Sequence, residues 1–348
     1  MTTLKRRLDE VFHIGNGEGA NRVGGTPEED DACRLAVEWM EESGLEVEVD
    51  GRGNLVGRLL GSRPELPEVW TGSHLDSVPA GGKFDGALGV IAGLEAVVAV
   101  GPSERTLGLV VFRDEETGCH GSRWRVEKTK PLPGAYVELH IEQGPKLERA
   151  GAPLGVVTSI AGIVRAGKEF AGKADHAGTT PMDARSDALT AAAEYVLRVR
   201  EVASGIEGAV ATVGQLDVTP GAVNVIPERV TLSVDARASD QERLDRLVAE
   251  LGLENALYVI PPVVLSERVR GVLAEAVERA GAQVVELPSG AGHDAGVLAA
   301  AGVEAGMLFV RSLNGGASHS PDEHSSDEDI ALAVEVLTAS LRRLSKSK

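Results

Sequence analysis

Gly72 to Val90, GSHLDSVPAGGKFDGALGV, is the stretch from which the fold of this chain can be read. It follows a short β-prone run, Val69 and Trp70, and precedes a helical run rich in Ala, Val, Leu and Ile. Its polar residues therefore fall where a strand gives way to loops and a helix, which is where α/β proteins place their sites. His74 and Asp76 stand two apart, so an extended backbone turns both side chains to one face. Asp85 follows in a glycine-flanked turn. Imidazole nitrogen and carboxylate oxygen are ordinary ligands for zinc-like ions. Taken singly, each of the three reads better as a plain feature, His74 as a turn cap and Asp76 and Asp85 as solvated loop acids.

Outward from this stretch, the same pattern repeats. TLGLVVFRDEETG is a strand ending in Asp114, Glu115 and Glu116, and AYVELHIEQG is a strand ending in His140 and Glu142. Three apolar runs thus deliver polar groups at their C-terminal ends, as one edge of an α/β sheet would. Alternation aims Glu115 and Glu116 in opposite directions, so one can bind metal while the other works elsewhere; a solvated acid pair is the plain alternative. Upstream, Thr26 to Ser43 reads as a helix with Thr26 as N-cap, Pro27 at the first position and Gly44 as its stop. LEVEVDGRGNLVGRLLG reads as two strands around a turn, and Gly86 to Val100 as a buried helix.

After about Thr158 the character changes. The segments IVRAGKEFAGKADH (strand), Asp183 to Val202 (helix), ATVGQLDV and NVIPERVTLSVDARA (strands), Gln241 to Leu251 (helix) and ALYVI (strand) follow a β-α-β-β-α-β order. From Leu265 the α/β pattern returns, with a helix to Ala280, a strand near Val284, the glycine-rich PSGAGHDAG, the strand AGMLFVR, a polar loop and a helix to about Leu344. The closing SKSK reads as a loose tail. Two domains are expected: 1–158 with 263–348, and an inserted 159–262. A length of 348 residues suits two cores.

With 43% hydrophobic and 25% charged residues, the composition is that of a globular chain. A formal charge of −18 makes nucleic acid and anionic membrane poor partners. No apolar run is long enough to span a bilayer and the start lacks an apolar signal core, so a cytoplasmic location is expected. Cys33 and Cys119, far apart, argue against a disulfide framework. GAGHDAG and GGKFDG match neither a P-loop nor a dinucleotide fingerprint.

Seven segments in order carry a resemblance: GSHLDSVPAGGKFDGALGV, RDEE, ELHIEQGP, KADHAGTTPMDAR, VNVIP with DAR downstream, SGAGHDA and SHSP. From about Arg22 to Ile330 the chain resembles the M20 family of dinuclear-metal amidohydrolases and peptidases. Within it, the closer likeness is to the hydantoinase/carbamoylase branch of N-carbamoyl-L-amino-acid hydrolases, allantoate amidohydrolases and β-ureidopropionases. The resemblance implies an α/β catalytic domain carrying an inserted ferredoxin-like dimerisation or lid domain. It also implies two divalent ions per subunit, with zinc, manganese, cobalt and nickel all compatible.

Position by position, the resemblance makes His74 and His140 ligands on different metals, Asp85 the bridge, and Glu116 and His319 the completing ligands. Glu115 becomes the general base and Asp76 the carboxylate that orients His74. Gln143, Asn224, Arg237 and the backbone at Gly290 become substrate contacts. His176 becomes an oxyanion donor reaching into a neighbouring subunit, which requires a homodimer formed through the inserted domain. Without the family, Arg237 reads as a surface partner of Asp235 or Asp240, Asn224 as a turn residue and His176 as a loop histidine. His293 and Asp294 read as a loop-bracing pair.

Three departures stand out. The segment Trp124 to Tyr136 is shorter than the family's, Cys119 and His120 sit close behind the acid pair as either extra contacts or filler, and His324 replaces a Tyr. The implied activity is hydrolysis of the carbamoyl C–N bond of an N-carbamoyl-L-amino acid or related ureido acid, with small ureido or acyl amino acids as substrates. Allantoate hydrolysis and N-acyl-amino-acid deacylation are alternatives within that chemistry. A non-catalytic metal-binding relative is the alternative outside it.

Overall fold

The computed structural model describes residues 2–256 and 258–346. In chain order the strands are β1 (Glu46–Val49), β2 (Leu55–Leu59), β3 (Val69–His74), β4 (Leu107–Phe112), β5 (Ala135–Ile141), β6 (Leu154–Ile160), β7 (Gly162–Ala171), β8 (Ala209–Thr219), β9 (Arg229–Ala238), β10 (Tyr258–Ile260), β11 (Val263–Val264), β12 (Glu286–Ser289) and β13 (Glu304–Val310). The chain divides into two compact units, 1–158 with 264–348 and 159–263. No helix among the described residues is long and apolar enough to cross a membrane.

A nine-stranded sheet runs β1-β2-β4-β3-β5-β13-β6-β11, with β12 beside β6. Its centre is parallel: β3 lies between β4 and β5, and β13 adds beyond β5. Every residue of β3, β4 and β5 is buried, as expected for strands covered on both faces. The helix Ala87–Val100 is buried along nearly its whole first half and packs into the same core. It comes so close that a Cβ on Gly89 would lie 2.3 Å from the Leu139 carbonyl oxygen. Gly72 has φ +146°, and a Cβ there would fall 1.9 Å from the Val110 oxygen, so the strand that ends in His74 needs glycine at this point.

The second unit is a four-stranded antiparallel sheet in the order β10-β7-β9-β8, with helices Ala188–Ser204 and Gln241–Leu251 sharing its apolar core. Element order and sheet order are those of a ferredoxin-like domain.

Several local expectations shift. The helix expected from Asp183 starts at Ala188, because Asp187 caps it by accepting from Leu189 and Thr190 N–H. Arg185 is turned back onto the Ala177 and Thr180 carbonyls instead. Asn224 to Glu228 is a turn rather than strand, and Lys173 to His176 lies beyond the end of β7, with only a single bridge from His176 to Val225. The strand expected near Val284 lies at Glu286–Ser289. Of the expected strand ALYVI, Leu257 lies outside the described residues. A helix at Thr2–Phe12, not anticipated, buries Leu4, Leu8 and Val11. Thr26 precedes the helix Pro27–Glu42 without a side-chain capping bond; Glu29 instead accepts from Gly25 N–H at 2.7 Å. Ser345 is not loose: it is buried and its carbonyl accepts from Arg105 N–H, while Ser347 and Lys348 lie outside the described residues.

Candidate metal centre

His74, Asp76, Asp85, Glu115, Glu116, His140 and His319 all belong to the first unit, His74 and His140 at the C-terminal ends of parallel strands and the others in loops. β3 ends on His74, whose Nδ1 lies 3.2 Å from the Asp76 carbonyl oxygen and 3.4 Å from Asp76 Oδ1. That leaves Nε2 facing Asp85 Oδ1 at 3.7 Å and Glu115 Oε2 at 3.8 Å. Asp76 has a second task that sequence reasoning missed. Its two carboxylate oxygens accept from Glu115 N–H at 3.1 Å and Glu116 N–H at 3.0 Å, so one buried acid orients both the imidazole and the acid pair.

Glu115 and Glu116 are not on a strand, so alternation is not what separates them. β4 stops at Phe112, and Asp114 at φ +55° turns the chain so that the next two residues meet Asp76. Glu29 fixes that turn from outside by accepting from Asp114 N–H at 2.9 Å and pairing with Arg113 at 2.7 Å. Cys119 is neither remote nor idle, since its Sγ lies 3.4 Å from Glu115 Oε1. His120 and His324 are exposed, and His324 packs edge-on to Phe84.

His140, near the end of β5, has Nδ1 3.0 Å from the Ile141 carbonyl oxygen. Its Nε2 is buried without a hydrogen-bond partner, 3.2 Å from Asp85 Oδ1. On the other side, the exposed His319 places Nε2 3.3 Å from Asp85 Oδ2 and 3.4 Å from Glu116 Oε2. Among the described residues three donor groups result: His74-Asp85-His140 and Asp85-Glu116-His319, which share Asp85, and Glu138-His140-His293, which shares His140 with the first. His74 and His140, expected on different ions, both approach Asp85 Oδ1, at 3.7 and 3.2 Å, from the adjacent parallel strands β3 and β5, so the geometry groups them together.

The charge balance follows from this crowding. Burial opposes a charge on His74, but Glu115 and Asp76 outweigh it and hold the ring's pKa well above the ordinary value. Burial would raise Asp85; His140 and His319 overcome it and hold the carboxyl well below the usual range. Glu115 is pushed well up by burial, against the pull of His74, and Glu116 is raised by burial and then by Asp85. Asp294, heading the helix Asp294–Ala300, is pushed up to about 8 by burial and Glu138. The raised carboxyls of Glu115, Glu116 and Asp294, beside the lowered Asp85 and the raised His74, mark a pocket crowded with negative charge that divalent cations balance. The donor set fits such cations: His140 Nε2 and Glu116 Oε1 are buried without hydrogen-bond partners, in the donor groups that share Asp85. The clusters have capacity for one or two ions.

Other expected residues fall as follows. Gln143, at φ +56°, donates from Nε2 to Asp85 Oδ2 at 2.8 Å, so here it meets the shared acid. A side chain at Gly290 would meet open space. His293 is buried, 3.0 Å from Ser289 Oγ and edge-on to His140 with ring centroids 4.6 Å apart, a brace for the ligand ring. Two buried charges gave no sequence signal. Arg22 donates to the Leu75 carbonyl at 2.7 Å and, lowered to about 10 by burial, faces Asp76 and Asp85. Glu323 accepts from two backbone N–H groups, and nothing in its loop distinguishes it from neighbouring acids.

His176, Asn224 and Arg237 lie in the second unit. His176 is exposed, and its Nδ1 accepts from Gly178 N–H at 2.9 Å and Thr179 N–H at 3.1 Å. Asn224 is exposed in the turn before β9, and its carbonyl accepts from Ala177 N–H at 3.1 Å, which ties it to the His176 loop. Arg237 Nε donates to Asp235 Oδ1 at 2.8 Å, and Arg165 holds the other Asp235 oxygen.

A family model described as peptidase family M20/M25/M40 matches residues 70–343. An N-carbamoyl-L-amino acid amidohydrolase of Geobacillus stearothermophilus is 38% identical, over 99% of this chain and 98% of that protein. A ureidoglycolate hydrolase of Arabidopsis thaliana is 32% identical, over 98% of this chain and 86% of that protein. The crystal structure of a hydantoinase/carbamoylase-family amidase from Burkholderia multivorans superposes with a TM-score of 0.91 at 30% identity, covering 99% of this chain and 98% of that one.

Proposed function

The chain belongs to peptidase family M20/M25/M40 and to its hydantoinase/carbamoylase branch, and on that premise we propose that it hydrolyses N-carbamoyl-L-amino acids or close ureido acids. It is a metal-dependent amidohydrolase acting on ureido or carbamoyl C–N bonds. With one water consumed, such a substrate gives amino acid, carbon dioxide and ammonia.

The observation that carries the reading is Glu115: a carboxylate left over beside a full ligand set, buried and held by its neighbours. His74, Asp85 and His140 would hold one divalent ion, and Asp85, Glu116 and His319 a second, as zinc, manganese, cobalt or nickel. When bound, two such ions supply Lewis acidity and lower the pKa of a shared water. Glu115 takes the proton of the attacking water and hands it to the leaving nitrogen. Cys119 holds Oε1, leaving Oε2 toward the ligands.

In the inserted unit, two N–H groups donate to His176 Nδ1, so the neutral ring carries its proton on Nε2. That N–H is the donor an oxyanion needs. We assign it to the site of a partner subunit, so the working enzyme is a homodimer paired through the inserted unit. Arg237, its plane set by Asp235, receives the substrate carboxylate; Gln143, Asn224 and the Gly290 backbone contact the remainder.

The test is ammonia release from N-carbamoyl-L-amino acids, 3-ureidopropionate and allantoate by metal-reconstituted wild type and Glu115→Gln, with amino-acid detection for N-acetyl substrates. Release from a carbamoyl amino acid should fall about 10²- to 10⁴-fold in Glu115→Gln while ion content is kept. Release from allantoate or N-acetyl amino acids alone would move the substrate within the same chemistry. Silence on every substrate with ions bound would favour a binding role.

A further inference from the structure

Glu323 is a buried acid that no step above uses. Its Oε1 accepts from Phe84 N–H at 2.7 Å and from Asp85 N–H at 3.1 Å, while Ser318 Oγ lies 3.2 Å from its Oε2. Ser318 Oγ is also 3.4 Å from Asp85 Oδ2, and the next residue is His319, held at φ +54°. Glu323 thus grips the backbone of Asp85, which the His74-His140 and Glu116-His319 sides share, and the hydroxyl beside His319, which belongs to the Glu116 side alone. These two segments are 233 residues apart in sequence, and neither belongs to a strand or helix that would fix it. The carboxylate lies so close to Gly82 that a Cβ there would be 2.1 Å from its carbon. His74 and His140, by contrast, are set by the central parallel strands.

We propose that Glu323 is a positioning residue that clamps the Asp85 and His319 loops together and so sets the affinity of the ion on the Glu116-His319 side, leaving the His74-His140 side to the strands. The inference rests on the two-ion reading above. Two backbone N–H groups and the Ser318 hydroxyl donate to the carboxylate, so glutamine keeps the two backbone bonds at best, removes the charge and reverses the third bond, its N–H donating to a Ser318 hydroxyl that no longer donates to residue 323. Supporting residues of this kind typically change metal affinity by about 10- to 100-fold.

The experiment is titration of the metal-free full chain with cobalt(II) by calorimetry. Wild type, Glu323→Gln, Gly82→Ala, His319→Ala and the double variant Glu323→Gln/His319→Ala are compared, and thermal unfolding of each metal-free protein checks that it folds. Wild type should bind two ions. Glu323→Gln should weaken one of them about 10- to 100-fold and the other clearly less, since Asp85 is common to both. Gly82→Ala, which displaces the carboxylate without altering it, should weaken the same ion. In the His319→Ala background Glu323→Gln should add nothing, because the shared interaction is already lost. Equal weakening of both ions, or two unchanged affinities in folded Glu323→Gln, overturns the clamp while the two-ion reading stands. Wild type that binds fewer than two ions overturns that reading and the clamp with it.

Discussion

His140 and His176 are the same side chain assigned to one reaction, and their backbones make opposite choices for them. In the first unit, His140 is buried and its Nδ1 faces a carbonyl oxygen, so Nδ1 carries the proton and Nε2 presents a lone pair. In the second, two N–H groups donate to the Nδ1 of the exposed His176, so its proton sits on Nε2. One ring is prepared to bind a cation, the other to donate to an anion. The difference extends to the neighbours: Asp76, Asp85 and His74 are locked in by strands and buried bonds, whereas Asn224 and His176 stand on exposed turns. Ion binding needs fixed distances, while substrate contacts need access.

The largest effect should come from removing the residue common to the His74-His140 and Glu116-His319 sides. Asp85→Ala should abolish binding of both ions and, with it, all turnover, as read by metal content after gel filtration and by ammonia release. Retention of one ion at full affinity would break the shared role of Asp85. On the other side of the comparison, His176→Ala should keep both ions and lower kcat about 10²- to 10³-fold, the size of losing one oxyanion donor. A loss of ions in that variant would place His176 among the ligands and erase the contrast. Next in size is Arg237→Lys, which keeps a charge for Asp235 but loses the planar fork. It should raise KM by an amount equivalent to about 1 kcal/mol with ion content unchanged. An unchanged KM would return Arg237 to a purely structural pairing with Asp235.

The sequence was most readable where one local rule decides. Gln241–Leu251 has an acid cap, an amphipathic period and a terminating Gly252 in left-handed geometry, and its bounds agree with expectation. The polar ends of β3, β4 and β5 were also readable, since apolar runs ending in His and acids need no long-range information. The grouping of donor side chains around Asp85 was not, because it depends on which strands are adjacent, and β3 pairs with both β4 and β5 across long crossovers. Glu323 was unreadable for a related reason: its meaning lies in Phe84 and Asp85, some 240 residues earlier. The helix Thr2–Phe12 carries little signal in sequence, because its charges outnumber the three apolar positions it buries. In the second unit, Asp183 looked like a helix start and Asp187 was the cap, a choice made by Arg185 folding back on its loop.

The smallest expected effect separates local stability from the centre altogether. Asp240 caps the helix Gln241–Leu251 by accepting from Arg243 N–H at 2.9 Å, and that bond, with Arg243 itself, holds its carboxyl below the ordinary range. A carboxyl lowered on folding stabilises fully above its unfolded pKa, and the contribution is lost as pH falls through the folded value. Protection of the amides of residues 241–251 against hydrogen exchange should therefore decline in acid, below about pH 4. Asp240→Asn keeps a capping oxygen without the charge, so it should lose little protection at neutral pH and lack the component of the acid decline that belongs to Asp240. Asp240→Ala should lose about 1 kcal/mol at neutral pH, and less in acid, where the wild-type cap is itself weakened. Neither variant should alter ion affinity, since the helix belongs to the unit that holds no part of any of the three donor groups. A change in cobalt(II) affinity in Asp240→Ala would show that the order of the second unit feeds into the centre, and that the division of labour between the two units is narrower than their separate cores suggest.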